Sequence, residues 1–275
     1  MEDIIKDMLA ALTKFDTAGL DNLSKSLQGY NQTAFDAVNS LHDTAVKPVA
    51  SVIIAIVLVL ELARNATHIE GDQQMGVKII AGTMFKSALL VIAAQKSMLI
   101  LQAINEVATS IIGGISKVDD PAPSLPEGVS DEISGADGVD QAGMLMLLII
   151  PFLIALAAKL VVQVMVILRF AEMYMLTAFA SLPVAFLGHP DTKGMGISYL
   201  QRYAAVALHG ATLMLATNMY ATLVDSSIGA IEGIADDQSL SSWIVSQYPN
   251  FLLYPIMLIM LVLASGRLAK ALVGQ

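Results

Sequence analysis

The sequence predicts an all-α, polytopic membrane protein with five transmembrane helices, one embedded segment and an amphipathic helical N-terminus. Three observations carry that prediction. Of 275 residues, 56% are apolar and 14% charged, and mean hydropathy is +0.68. A soluble domain carries about 25% charged residues, so this chain could not cover a water-facing surface. Apolar runs of helix-spanning length recur along the chain, separated by short turn-rich or acidic stretches. Finally, Lys and Arg are distributed unevenly between those stretches, as the positive-inside rule expects of membrane loops. The same composition excludes disorder, which needs low hydrophobicity. A net charge of −9 with pI ≈ 4.8 excludes a broad basic surface for nucleic acid. With no cysteine, disulfides, thiolate chemistry and cysteine metal sites are excluded too.

Residues 1–47 form the first region, expected outside the cytoplasm. Ile4, Ile5, Met8, Leu9, Leu12 and Phe15 share one helical face. After Thr17 to Gly19, Leu20, Leu23, Leu27, Tyr30, Ala34, Ala37 and Leu41 recur at spacings of three and four. Asp21, Lys25, Gln28, Asn31, Gln32 and Asp36 make the opposite face polar, so these helices do not span. They either pack on the rest of the chain or dock on the membrane surface or a partner subunit. The acidic start, MEDIIKDML, has no apolar core of a cleavable signal, and the first span is expected to act as an uncleaved anchor.

The transmembrane domain, 48–275, follows. Its first span is about 48–64, roughly 24 Å of apolar helix, with Lys47 and Arg64 positioned to snorkel. Residues 77–115 read as one long helix whose span lies at about 88–113. Lys86, Lys96 and Glu106 interrupt it; Gln102, Asn105 and Glu106 share a face that should meet protein or water. Residues 116–141 read as a solvated acidic loop. The third span, 142–169, contains Pro151 and Lys159, with Gln163 one turn beyond Lys159. Residues 170–187 carry Glu172 and Pro183, and 188–198 form a turn-rich connector. A fourth span at 199–224 holds His209 and a small-residue stripe of Ala204, Ala207 and Ala211, suited to close helix packing. A second acidic loop, 225–249, precedes the last span at 250–268.

No Lys or Arg occurs between Lys117 and Lys159 or between Arg202 and Arg267, so both acidic loops are expected outside. Residues 170–187 must then begin and end inside, which makes them a re-entrant or embedded segment broken near Pro183. Five spans result, N-terminus outside and C-terminus cytoplasmic; six spans would put one acidic loop inside.

No catalytic, cofactor or metal constellation is visible. His42, His68, His189 and His209 are scattered, and GHPDTKGMG lacks the spacing of a phosphate-binding loop. The informative residues are polar groups at membrane depth: Lys86, Lys96, Glu106, Lys159, Arg169, Glu172, Arg202 and His209, with Pro183 as the breaker. Each charge costs about 3 kcal/mol if lipid-facing at a helix centre. They serve either as snorkelling and interhelical glue or as the lining of an aqueous path. Arg169 and Glu172, three apart, are positioned to pair on one helix.

Residues 169–224, RFAEMYMLTAFASLPVAFLGHPDTKGMGISYLQRYAAVALHGATLMLATNMYATLV, resemble the TrbL family, the polytopic inner-membrane subunit (the sixth VirB-type component) of conjugative type IV secretion systems. The carrying pattern is Arg169, Glu172 and Tyr174, small residues to Pro183 and Phe186, Tyr199–Leu200, then an Ala-rich span. Residues 60–115 are similar to the second-span region of versions from Gram-positive conjugative elements. The resemblance implies a non-enzymatic channel or assembly subunit with no cofactor. It implies a homo-oligomeric ring, a pentamer in relatives, that contacts other secretion membrane subunits and ATPases. It further implies transient contact with translocating single-stranded DNA or protein, in the cytoplasmic membrane. The alternative class is a secondary transporter or small-solute channel, which should show broken helices in both halves.

Overall fold

A computed structural model describes residues 2–13, 19–66, 73–115, 129–226 and 239–275. Among them the chain is helical throughout, without strands. The α-helices are α1 (Glu2–Thr13), α2 (Leu27–Tyr30), α3 (Gln32–Leu41), α4 (Lys47–Ala66), α5 (Gln73–Gln95), α6 (Ser97–Ile115), α7 (Val129–Gly135), α8 (Gly138–Ala178), α9 (Ser181–Ala185), α10 (Lys193–Ser226) and α11 (Leu240–Leu272). Short 3-10 turns lie at Leu20–Ser24 and Phe186–Gly188, and a π turn at His42–Val46.

Five helical stretches are long and apolar enough to cross a membrane: Gln32–Asn65, Gly76–Gln95, Ser97–Ile115, Gly138–Ala178 and Leu240–Leu272. Their outward faces carry Val52, Val59, Phe85, Leu160 and Met260, all exposed, as a lipid-facing surface requires. The set differs in membership from the spans read off the sequence. Residues 73–115 supply two of the five, and α10, which contains the expected span 199–224, is not among them.

The first compact unit is Met1–Ser24, Ile112–Ile167 and Gly210–Leu268. Its core joins two short helices, α1 and α7, to two long ones, α8 and α11. Ile5, Met8, Leu9 and Leu12 of α1 are buried with Val129 and Ile133 of α7, Met144 and Leu148 of α8, and Leu240, Trp243, Ile244 and Phe251 of α11. Each set has helical spacing, so each helix turns one stripe inward. Trp243 and Phe251 meet edge to face, ring centroids 6.0 Å apart. This core corrects both loop readings. Residues 129–141 and 240–249 read as solvated because each was averaged into a longer acidic stretch, 116–141 or 225–249. Val129 and Ile133, and Leu240, Trp243 and Ile244, nevertheless give them a buried stripe, and they are helical. The acidic stretches 116–128 and 227–238 lie outside the described residues.

Lys6 Nζ bonds Glu2 Oε1 at 2.6 Å, and the Ser134 hydroxyl of the α7 helix donates to the same oxygen. The ammonium, then the hydroxyl, hold the Glu2 carboxyl below its ordinary value of 4.5. A depressed carboxyl stabilises the fold above its ordinary value and loses that contribution as pH falls through the folded value. Amide exchange across α1 is therefore expected to quicken in acid below 4.5, and Glu2→Gln to remove that pH dependence. An unchanged profile in the variant would refute the link.

The second unit is Lys25–Ile111, Leu168–His209 and Ala269–Gln275. Ser26 and Asn31 cap α2 and α3 by accepting from the Gly29 and Ala34 amides. They break the continuous helix that the spacing from Leu20 to Leu41 suggested. Tyr174 of α8 donates to the Leu27 carbonyl at 2.6 Å, and Tyr30 stacks flat on Phe170 at 3.7 Å. The π turn ends at Lys47, whose amide reaches back five residues to the His42 carbonyl, one residue before Pro48. Proline cannot donate, so the helical ladder must rearrange at this point.

Helices α4 and α5 form an antiparallel hairpin. Ala50 and Ile54 pack with Ala94, Val184 and Ala185; further along, Glu61 meets Lys86 and Asn65 Nδ2 donates to Thr83 Oγ1 at 2.7 Å. The long helix read over 77–115 is interrupted at Lys96. The Lys96 amide bonds the Ile92 carbonyl and the Ile100 amide bonds that of Lys96, so the chain runs onward and does not turn back. Three polar residues in a row, Gln95 to Ser97, occupy the break, and Ser97 is buried with its Oγ 3.4 Å from His42 Nε2.

Helix α8 runs 41 residues, about 60 Å, twice the hydrocarbon thickness. It continues through Pro151 and past 169 to Ala178, so residues 170–178 belong to the same helix as the preceding span. The break comes at Phe179 and Ala180, where the amides bond three residues back, to Leu176 and Thr177. Pro183 causes it: its ring would strike the carbonyl four residues earlier, that of Phe179.

Candidate functional site

Eight of the nine residues singled out from sequence lie in the second unit; Lys159 lies in the first. They do not converge on one centre. They form separate interhelical ties.

Arg169 is the most deeply placed, fully buried near the end of α8. Its Nε and Nη2 donate to the carbonyls of Val206 and Ala207 on α10, at 3.4 and 3.2 Å, and its guanidinium lies 5.0 Å from the Phe170 ring centroid. The planar fork lets one side chain reach two successive carbonyls of a neighbouring helix. The small side chains of Ala204, Ala207 and Ala211 make α10 narrow on that stretch. Glu172 meets Arg202 of α10 at 3.2 Å, with both side chains largely exposed. The pair the spacing allowed, Arg169 with Glu172, is thus replaced by one partner each on α10. Tyr199 adds a third tie, donating to the Leu176 carbonyl. Their order along the helices (169 with 206–207, 172 with 202, 176 with 199) describes one antiparallel α8–α10 seam. His209 continues α10 past that seam, half-buried.

Lys86 Nζ lies 3.1 Å from Glu61 Oε1; the Glu61 side chain is 10% exposed and that of Lys86 55%. Glu61 was missed by the sequence reading. It stood inside an apolar run near the end of α4, and the signal that could have found it is that a lone acid there needs a cation on the next helix. Replacing Lys86 alone strands a buried carboxylate. Lys86→Met is expected to cost about 2 kcal/mol in detergent unfolding, and Glu61→Gln with Lys86→Met to recover most of it. A double variant no better than the single would refute the pairing.

Pro183 lies within α9, which packs on the α4–α5 hairpin. Gly188, just beyond, sits so close that a Cβ there would be 2.5 Å from Leu90 Cδ2 and 2.8 Å from Val57 Cγ1. On α6, Asn105 is buried and its Oδ1 has no donor among the described residues, while Gln102 and Glu106 are exposed. Lys159 is half-buried at the edge of a cavity of about 400 Å³ that Leu12, Phe152, Tyr220 and Leu258 also line. Lys96 is exposed at the α5–α6 break. Among the described residues no group of three or more His, Asp or Glu is arranged to hold a metal.

Residues 16–181, more than half the chain, match the family model of the TrbL/VirB6 plasmid conjugal transfer like proteins. The chain belongs to the TrbL/VirB6 family. It is a multi-pass membrane protein and a component of conjugal transfer, that is, of type IV secretion machinery. The family is a structural part of that machinery, not a family of enzymes, and its members work among the other components. The match covers the whole of 60–115 but stops within 169–224, just after the helix break at 179–180. In this TrbL/VirB6 chain the match therefore ends before α10, the helix that completes the Arg169 seam. No curated protein and no solved structure matches the chain.

Proposed function

We propose that this TrbL/VirB6 chain is a channel-forming assembly subunit of a conjugation machine in the cytoplasmic membrane. Copies assemble into a ring, five by analogy with relatives, and help build the path for single-stranded DNA with its relaxase or for a protein substrate. The observation that carries this reading is the family match, joined to the exposed charges on apolar helices. The side chains of Lys86, Glu172 and Arg202 are 55%, 42% and 62% exposed, on helices that also expose apolar side chains such as Phe85 and Leu160. Lipid does not tolerate such groups, so protein from a sister copy or water must cover them. Partners in the reading are the other membrane subunits and the ATPases of the machine. Contact with DNA is transient, because a net charge of −9 offers no phosphate-binding surface. The N-terminus lies outside and the C-terminus in the cytoplasm, on the distribution of Lys and Arg.

The chain has no cysteine, so a single one introduced at exposed Met195 reports alone. Met195→Cys in native membranes is expected to crosslink to copies beyond a dimer, and removal of the gene to abolish transfer. Monomers only, with transfer proceeding normally, would overturn the proposal. Asp191→Cys is expected to react with an impermeant thiol reagent only from the cytoplasmic side; labelling from outside would overturn the orientation.

A further inference from the structure

We propose that the cavity beside the π turn is a site for one acidic phospholipid, its phosphate held by Lys96 and Lys47. This goes beyond the proposed function and requires only that α4 and α5 stand in a bilayer, so its failure would leave the ring untouched.

The cavity measures about 470 Å³, within the range of ligand sites. Its polar wall is Asp43, Lys47, Gln95 and Lys96, and its apolar wall includes Ile54 and Val91. The two walls match the two ends of a lipid. Charge selects the headgroup. Lys47 is paired with Asp43 at 2.6 Å, which leaves the lining with one net positive charge. Among the described residues the Lys96 ammonium has no carboxylate partner, although the π turn and α4 supply Asp43 and Glu61 to other cations. A second observation points to a ligand. Ser181, at the cavity wall, is fully buried and its hydroxyl has no hydrogen-bond partner among the described residues. A buried hydroxyl is rarely left unpaired, and a phosphate or glycerol oxygen supplies what it needs.

Position agrees with chemistry. The hairpin pairs Asn65 with Thr83 and Glu61 with Lys86, and by the Ala50–Ala94 level it has reached the Lys47 end of α4. There the apolar run of α4 stops, beside Lys47. Lys96, at the α5–α6 break, lines the cavity together with Lys47. Basic pockets between membrane helices bind acidic headgroups in this way.

The shared chemistry is a phosphate monoanion, and the occupant is a phospholipid rather than free phosphate. The full chain, purified in non-ionic detergent, is titrated with phosphatidylglycerol, phosphatidylcholine or inorganic phosphate and read by native mass spectrometry. We expect one retained phosphatidylglycerol per chain, weaker retention of phosphatidylcholine and no displacement by inorganic phosphate. Lys96→Gln and Lys47→Gln are each expected to weaken phosphatidylglycerol about fivefold. Lys78→Gln, also exposed on α5, should not. Equal retention of the two lipids, displacement by phosphate alone, or an unaffected Lys96→Gln would each overturn the site. Should a variant fail to fold, a photoreactive phosphatidylglycerol on the wild-type chain decides the matter. Label on residues 43–54 or 91–97 supports the site, and label confined elsewhere refutes it.

Discussion

Arg169→Met is expected to be the most damaging single change in the α8–α10 seam. The side chain is fully buried and bridges the carbonyls of Val206 and Ala207. Hydrogen bonds from a charged donor contribute about 1.5–3 kcal/mol each, and these two, at 3.4 and 3.2 Å, belong at the lower end. Methionine fills much of the volume but bonds neither carbonyl, so the loss is about 3 kcal/mol. Arg169→Lys should recover only part of it, because an ammonium on a flexible stem cannot reproduce the two-pronged reach. The measurement is thermal unfolding of the detergent-purified chain, with transfer efficiency of the parent element as the functional reading. A methionine variant of wild-type stability would mean that the seam is held by Tyr199 and the Glu172–Arg202 pair without Arg169. The last pair is exposed and is expected to contribute under about 1 kcal/mol.

Gly196→Ala is expected to be nearly as harmful, for a steric reason. A Cβ at Gly196 would stand 2.6 Å from the Pro183 carbonyl oxygen and 2.5 Å from Leu187 Cδ2. Leu187 can rotate away; the carbonyl is backbone and cannot without moving α9. Overpacking of this kind costs about 1–3 kcal/mol, and it loosens the first turn of α10 from the 181–188 segment. Gly194→Ala is the control, two residues earlier, where a Cβ meets nothing within 4 Å. It should unfold no earlier than wild type. Proteolysis at the 188–193 connector gives an independent reading: faster cutting in Gly196→Ala and unchanged cutting in Gly194→Ala. Equal behaviour of the two variants would show that the close approach is not constraining.

Not every reading of the chain was accessible at the same level. Pro183 was legible as a breaker because its effect is local: a missing donor and a ring against the carbonyl four residues back. The break at Lys96 was not legible, since Gln, Lys and Ser are all ordinary within a helix and no Pro or Gly marks the point. Helices in residues 129–141 and 240–249 were hidden because they were read as part of the longer acidic stretches 116–141 and 225–249, whose average masks a stripe such as Val129–Ile133 or Leu240–Trp243–Ile244. The Arg169–Glu172 pairing was inferred from spacing on one helix, whereas both residues found partners on another.

What the sequence determined by itself is the class: a helical, multi-pass membrane protein of the TrbL/VirB6 family, because hydropathy and helical period are sums over neighbouring residues and need no partner to be evaluated. What only the tertiary structure decided is who meets whom: Glu61 with Lys86, Glu172 with Arg202, Arg169 with two carbonyls of α10. Those contacts depend on the relative register of helices distant in sequence. A shift of one residue rotates every side chain on a helix by about 100°, so register is set by packing against the neighbour and is not written in either helix alone.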